Sequence, residues 1–119
     1  MYLLIDLAIE RVELAEPADT KRFHVAVAHG DDAAAVDRVL AAAGAGRLDP
    51  HDHDHAWITT AWVQAGAAGR VPASWSEHFT AMLEHGKGKG WYDETAHEIK
   101  AHVEWIRADD GSIESGPDS

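Results

Sequence analysis

The chain contains no cysteine, which excludes a disulfide framework, a thiol nucleophile and thiolate ligation of a metal. Cations are scarce: Lys and Arg number 10 against 21 Asp and Glu, for a formal charge of -11. Phosphate backbones and anionic membrane surfaces are held by cationic patches, so neither nucleic acid nor membrane is an expected partner. No apolar run approaches the roughly 20 residues that a membrane span requires. The opening Met1–Leu14 carries Asp6, Glu10, Arg11 and Glu13, with neither a basic leader nor a small-residue cleavage site. Cytoplasm is the expected compartment.

Motifs of catalysis are also missing. No GxSxG elbow surrounds Ser74, and no GxxxxGK[ST] loop is present. Gly86-Lys87-Gly88-Lys89-Gly90 follows a helical pattern, whereas a nucleotide loop precedes its helix, so it reads as a helix stop.

What is present fits a soluble globular unit. Of 119 residues, 45% are hydrophobic and 26% charged, close to ordinary globular composition. That length supports one core, expected over residues 1–107. From residue 108 to 119 the polar, glycine-containing run reads as a flexible acidic C-terminal tail.

Met1–Leu14 has two readings. Asp6, Glu10 and Glu13 form a polar stripe at helical spacing, while Leu3, Ile5, Leu7 and Ile9 alternate at strand spacing. Phe23–Ala28 is a predicted strand with Phe23, Val25 and Val27 on one face; Gly30, Asp31 and Asp32 supply a break and an N-cap for a predicted helix over Ala33–Ala43, which Gly44 and Gly46 end. Ala56 to about Thr60 reads as a strand, after which Thr59 or Thr60 could cap a short helix. Ser74-Trp75-Ser76-Glu77 has the form of a capping box, so a helix starts at Trp75 with Trp75, Phe79, Met82 and Leu83 on one face. In Glu98–Ile106 an apolar set (Ile99, Ala101, Val103, Trp105) alternates with a polar one (Lys100, His102, Glu104), which predicts the last strand. The expected fold class is α+β, with α/β as the alternative: a single small domain in which a three- to four-stranded sheet carries two to three helices.

The densest chemistry is His51-Asp52-His53-Asp54-His55. In an extended segment His51, His53 and His55 would point the same way. Imidazole and carboxylate suit zinc or another divalent transition metal, and His102 or Glu104 could complete the shell if the last strand lay alongside. His97 and His102 with Glu98 and Glu104 form a second cluster, and Lys100, His102 and Glu104 on one face of the last strand read as a charge ladder or as an acid and base facing a cleft. Five tryptophans are many for this length, and Trp62 and Trp91, beside turns and glycines, are the ones expected at the surface.

Three functions follow. The first is a non-catalytic interaction or regulatory module that binds a protein partner or self-associates through a sheet edge or aromatic patch. The second is a divalent-metal-binding protein that uses the His51–His55 run. The third is a small-molecule binder or enzyme with a Trp-lined pocket and His102 as base.

Overall fold

A computed structural model describes residues 1–106; the predicted tail lies outside the described residues. In chain order the elements are β1 (Tyr2–Asp6), β2 (Arg11–Ala15), β3 (His24–Ala28), α1 (Ala33–Ala43), β4 (Gly46–Leu48), β5 (His55–Thr59), α2 (Thr60–Ala67), α3 (Trp75–Gly88), β6 (Tyr92–Asp93) and β7 (Glu98–Trp105). The fold mixes helix and strand, but the expected three- to four-stranded sheet is corrected: a mixed 7-stranded sheet runs β2-β1-β3-β7-β5-β4, with β6 added beside β7. Two of the extra strands, β4 and β6, are 3 and 2 residues long, too short to show any periodicity.

Met1–Leu14 is neither one helix nor one strand. It is a hairpin in which Asp6 pairs with Arg11, turning through Leu7–Glu10 with Glu10 at φ 50. That loop has none of the Gly, Asn or Pro that ordinarily announces such a turn. Leu3 and Ile5 of β1 are buried while their neighbours face the other way, the period-2 burial of a half-covered sheet.

β7 bears out its alternation, with Ile99, Ala101 and Val103 buried; in β3 Val25 and Val27 are buried as expected, but Ala26 between them is buried too. Val25, Val27, Ile99, Ala101 and Val103 meet Val36, Val39 and Leu40 of α1 and Val63 and Ala67 of α2 in one hydrophobic cluster. α1 is capped as expected: the Asp32 carboxylate accepts from the amides of Ala34 and Ala35, and Gly44 closes the helix in the left-handed conformation. α1 does not return the chain to a parallel strand beside β3. β4 lies at the far edge of the sheet, antiparallel to β5, and its Leu48 amide is satisfied by the Asp37 carboxylate of α1. Thr59 caps α2 by accepting from the Trp62 amide.

α3 begins at Trp75 but without the expected capping box. Ser74 already has helical dihedrals, φ -71 and ψ -9, and makes no side-chain cap. A capping hydroxyl needs an extended backbone to reach forward. Here the Trp75 amide bonds back to the Pro72 carbonyl, so the chain enters the helix through a tight turn. Trp75 and Phe79 anchor α3 by burial, and the Trp75 indole donates to the Pro17 carbonyl. Of the two tryptophans expected at the surface, Trp91 is 48% exposed, whereas Trp62 packs partly buried against the core because α2 turns it inward.

Among the described residues no helix is long and apolar enough to cross a membrane.

Candidate functional site

β7 organises the site because it has different partners along its length. Its first residues pair with β6, Tyr92 opposite Ile99. Further on the same edge pairs with β3, His24 opposite His102, while the other edge pairs with β5, His55 opposite His102. β1 extends the row, with Tyr2 opposite His24. Side chains directly opposite in a sheet share a face, so Tyr2, His24, His102 and His55 form a transverse aromatic row on the face turned away from α1 and α2. The Tyr2 and His24 rings stack at 5.0 Å between centroids, and His55 meets His102 edge to face at 5.6 Å.

Where the β7 edge passes from β6 to β3, Phe23 just before β3 and Trp91 just before β6 stand on either side. With Lys100, His102 and His55 they line a cavity of about 210 Å³. The Lys100 amide donates to the Trp91 carbonyl, which holds that ring's backbone against β7. Among the described residues none of the ion pairs involves Lys100. Its ammonium lies 5.9 Å from the ring of Trp57, and Arg47 approaches that ring at the same distance. The Trp57 indole in turn donates to Asp49 at 3.0 Å.

His55 is held from behind. Its Nδ1 lies 2.7 Å from Asp52 Oδ2. A carboxylate can only accept, so Nδ1 carries the proton and Nε2 is left with its lone pair. Two Asx turns shape this segment: Asp49 accepts from the His51 and Asp52 amides, and Asp52 accepts from the Asp54 amide. The Asp52 carboxyl is consequently held below the usual carboxylate range, first by the Asp54 amide and then by the His55 ring. Asp49 is lowered likewise, first by the His51 amide and then by the Trp57 indole.

A carboxyl whose folded value is depressed contributes stability above its unfolded value, near about 4, and that contribution is lost as pH falls through the folded value. The 49–55 turn is therefore expected to hold from neutrality to about pH 4 and to loosen below it. The readout is the Trp57 indole and Asp54 amide resonances followed by NMR; both unchanged down to about pH 2 would contradict the assignment.

Of the residues predicted from sequence, His55 and His102 come together. His51, His53 and Glu104 do not join them. The run is a turn, not an extended segment, so the expected alternation is not adopted. His53 faces a separate groove with Ala34 and Asp37 of α1, His51 is exposed in the turn, and Glu104 pairs across with Ala26 of β3. His97 sits in the turn before β7, at φ 56, far along the strand from His102. Among the described residues no group of three or more His, Asp or Glu is gathered as a metal would need.

The sequence marks Phe23 only as a strand-face residue, Trp91 only as a surface aromatic and Lys100 only as part of a polar strand face, and it does not single out His24. Only strand order unites them, and the alternation of β7 was the one available sign for Lys100. No protein-family model, curated protein or solved structure matches the chain.

Proposed function

We propose that the protein binds a small, flat, anionic molecule in the cavity between Phe23 and Trp91, with Lys100, His102 and His55 receiving its acidic group. The observation that carries this reading is the lining itself. In a chain with 21 acidic residues the five side chains around the cavity include none of them, and they comprise one ammonium, two imidazoles and two aromatic rings. Aromatic walls with a few convergent polar groups are the usual make-up of a small-molecule site. The Lys100 ammonium, on a chain that is otherwise strongly acidic, attracts an incoming anion, and an imidazole N–H beside it can donate to the acidic group. Asp52 fixes the ring of His55, so Nε2 is presented in one orientation and can accept a proton or a hydrogen bond from the ligand.

The test is calorimetric titration with naphthoate at low salt. Binding is expected in the native chain, with affinity falling as salt rises and falling about tenfold or more in Lys100→Ala, which removes a charge-assisted contact. No heat from the native chain, or an unaltered affinity in Lys100→Ala, would refute it.

A divalent cation on His55 and His102 is the second reading, favoured by the carboxylate behind His55, an arrangement typical of ligating imidazoles. Zinc would then raise the melting temperature and weaken naphthoate binding by competition. The interaction module has the edges of β2 and β4 and the exposed Ile9 and Ile106 to offer. These are ordinary surface features, whereas the cavity gathers side chains from β5, β7 and the residues just before β3 and β6.

A further inference from the structure

We infer that the ligand is an elongated dianion, with a second acidic group received by Lys21 and His85; this rests on the cavity reading above. The first cavity does not end at Trp91. Phe23, Trp91 and Lys100 also line a second one, of about 170 Å³, that adds Lys21 and His85. Lys21 and His85 in turn line a groove of about 430 Å³ along α3 that adds His78. Shared walls make these one trough. None of the residues lining any of the three is Asp or Glu, although the chain carries 21 of them.

The basic side chains, one lysine and two histidines in each case, fall into two groups separated by an apolar waist. Lys100, His102 and His55 sit at the sheet end, Lys21, His85 and His78 at the helix end, and Phe23, Trp91 and Met82 lie between. His78 and His85 are seven residues apart on α3, roughly 10 Å along its axis, so the helix end can follow an extended group. The waist, walled by the Phe23 and Trp91 rings with Met82 and Ile99, suits a flat apolar ring system. A molecule with an acidic group at each end of a planar middle matches both charge clusters, and a monoanion leaves one cluster unused.

Calorimetry on the full chain with a biphenyl dicarboxylate, one carboxyl at each end, and with the corresponding monocarboxylate tests this directly. The dicarboxylate is expected to bind about tenfold tighter, the worth of one added charge-assisted contact. Lys21→Ala, at an exposed position, is expected to abolish that advantage, while Lys100→Ala weakens both. Equal affinities in the native chain, or an advantage that survives Lys21→Ala, overturns the dianion inference and leaves the cavity reading standing. Failure of both compounds to bind the native chain overturns the two together.

Discussion

Phe79→Ala is expected to destabilise the protein by about 3–5 kcal/mol, the usual cost of emptying a fully enclosed aromatic site. Phe79 is 1% exposed, the largest of the fully buried side chains. Its ring stacks on Trp75 at 4.7 Å between centroids, nearly parallel at 9°. The consequence extends past the cavity left behind, because Trp75 is tethered through its indole to the Pro17 carbonyl. Loss of the stacking partner loosens the buried aromatic pair that, through the Trp75 indole, ties α3 to the segment after β2. Domains of this size have about 5–15 kcal/mol in total, so the variant should melt roughly 10–25 °C lower. Thermal unfolding followed by circular dichroism reads this. A shift of only a degree or two would mean that α3 is not packed as described, and with it the helix end of the trough.

Gly46→Ala is the second large effect, and it operates through backbone. A Cβ on Gly46 would lie 2.0 Å from the Trp57 carbonyl oxygen and 3.0 Å from the Ile58 Cα, in a residue whose φ of 152 is already unfavourable for a side chain. Neither contact can be relieved by a rotamer change, since both partners are main chain. β4 must move away from β5, which breaks the pairing of Arg47 with Trp57 and of Leu48 with Ala56. The expected cost is about 3 kcal/mol or more, combining overpacking with dihedral strain. Gly44→Ala separates the two causes: Gly44 has φ 71 but open space around its Cβ position, so only strain remains, about 1 kcal/mol. Chemical denaturation of both variants checks the difference, and equal losses would contradict the clash. Because β5 carries His55 and Trp57, Gly46→Ala should also weaken ligand binding, whereas Gly44→Ala should not.

The parts of the fold that could be read from sequence were those whose signal is local. Asp32 and Gly44 bracket α1 by capping chemistry, and the alternation of Ile99, Ala101 and Val103 marks β7 because one face of that strand is buried. The Leu7–Glu10 turn could not be seen, since its positive φ falls on Glu10 and not on Gly or Asn. The Ser74 motif misled because a capping box needs an extended first residue, and the turn from Pro72 places Ser74 in the helical region instead.

The site was less legible for a related reason. His55 and His102 are 47 positions apart, and their meeting depends on β5 and β7 being neighbours with that register. Whole-chain composition was a poor guide as well: a formal charge of -11 argues against anion binding, yet strand order gathers Lys21, Lys100 and four imidazoles where no carboxylate lines the wall. His51, His53 and His55 illustrate the converse. Adjacent in sequence, they are parted by two Asx turns that point His53 toward α1 and His55 toward β7.

An amide NMR titration of the isotope-labelled protein with naphthoate tests the central claim most directly. The account predicts shifts confined to Phe23, His55, Trp91, Lys100, His102 and their immediate neighbours, with none along the groove between α1 and β4 that Ala34, Asp37 and His53 line. Shifts centred on that second groove, or no shifts at all at millimolar ligand, would contradict it.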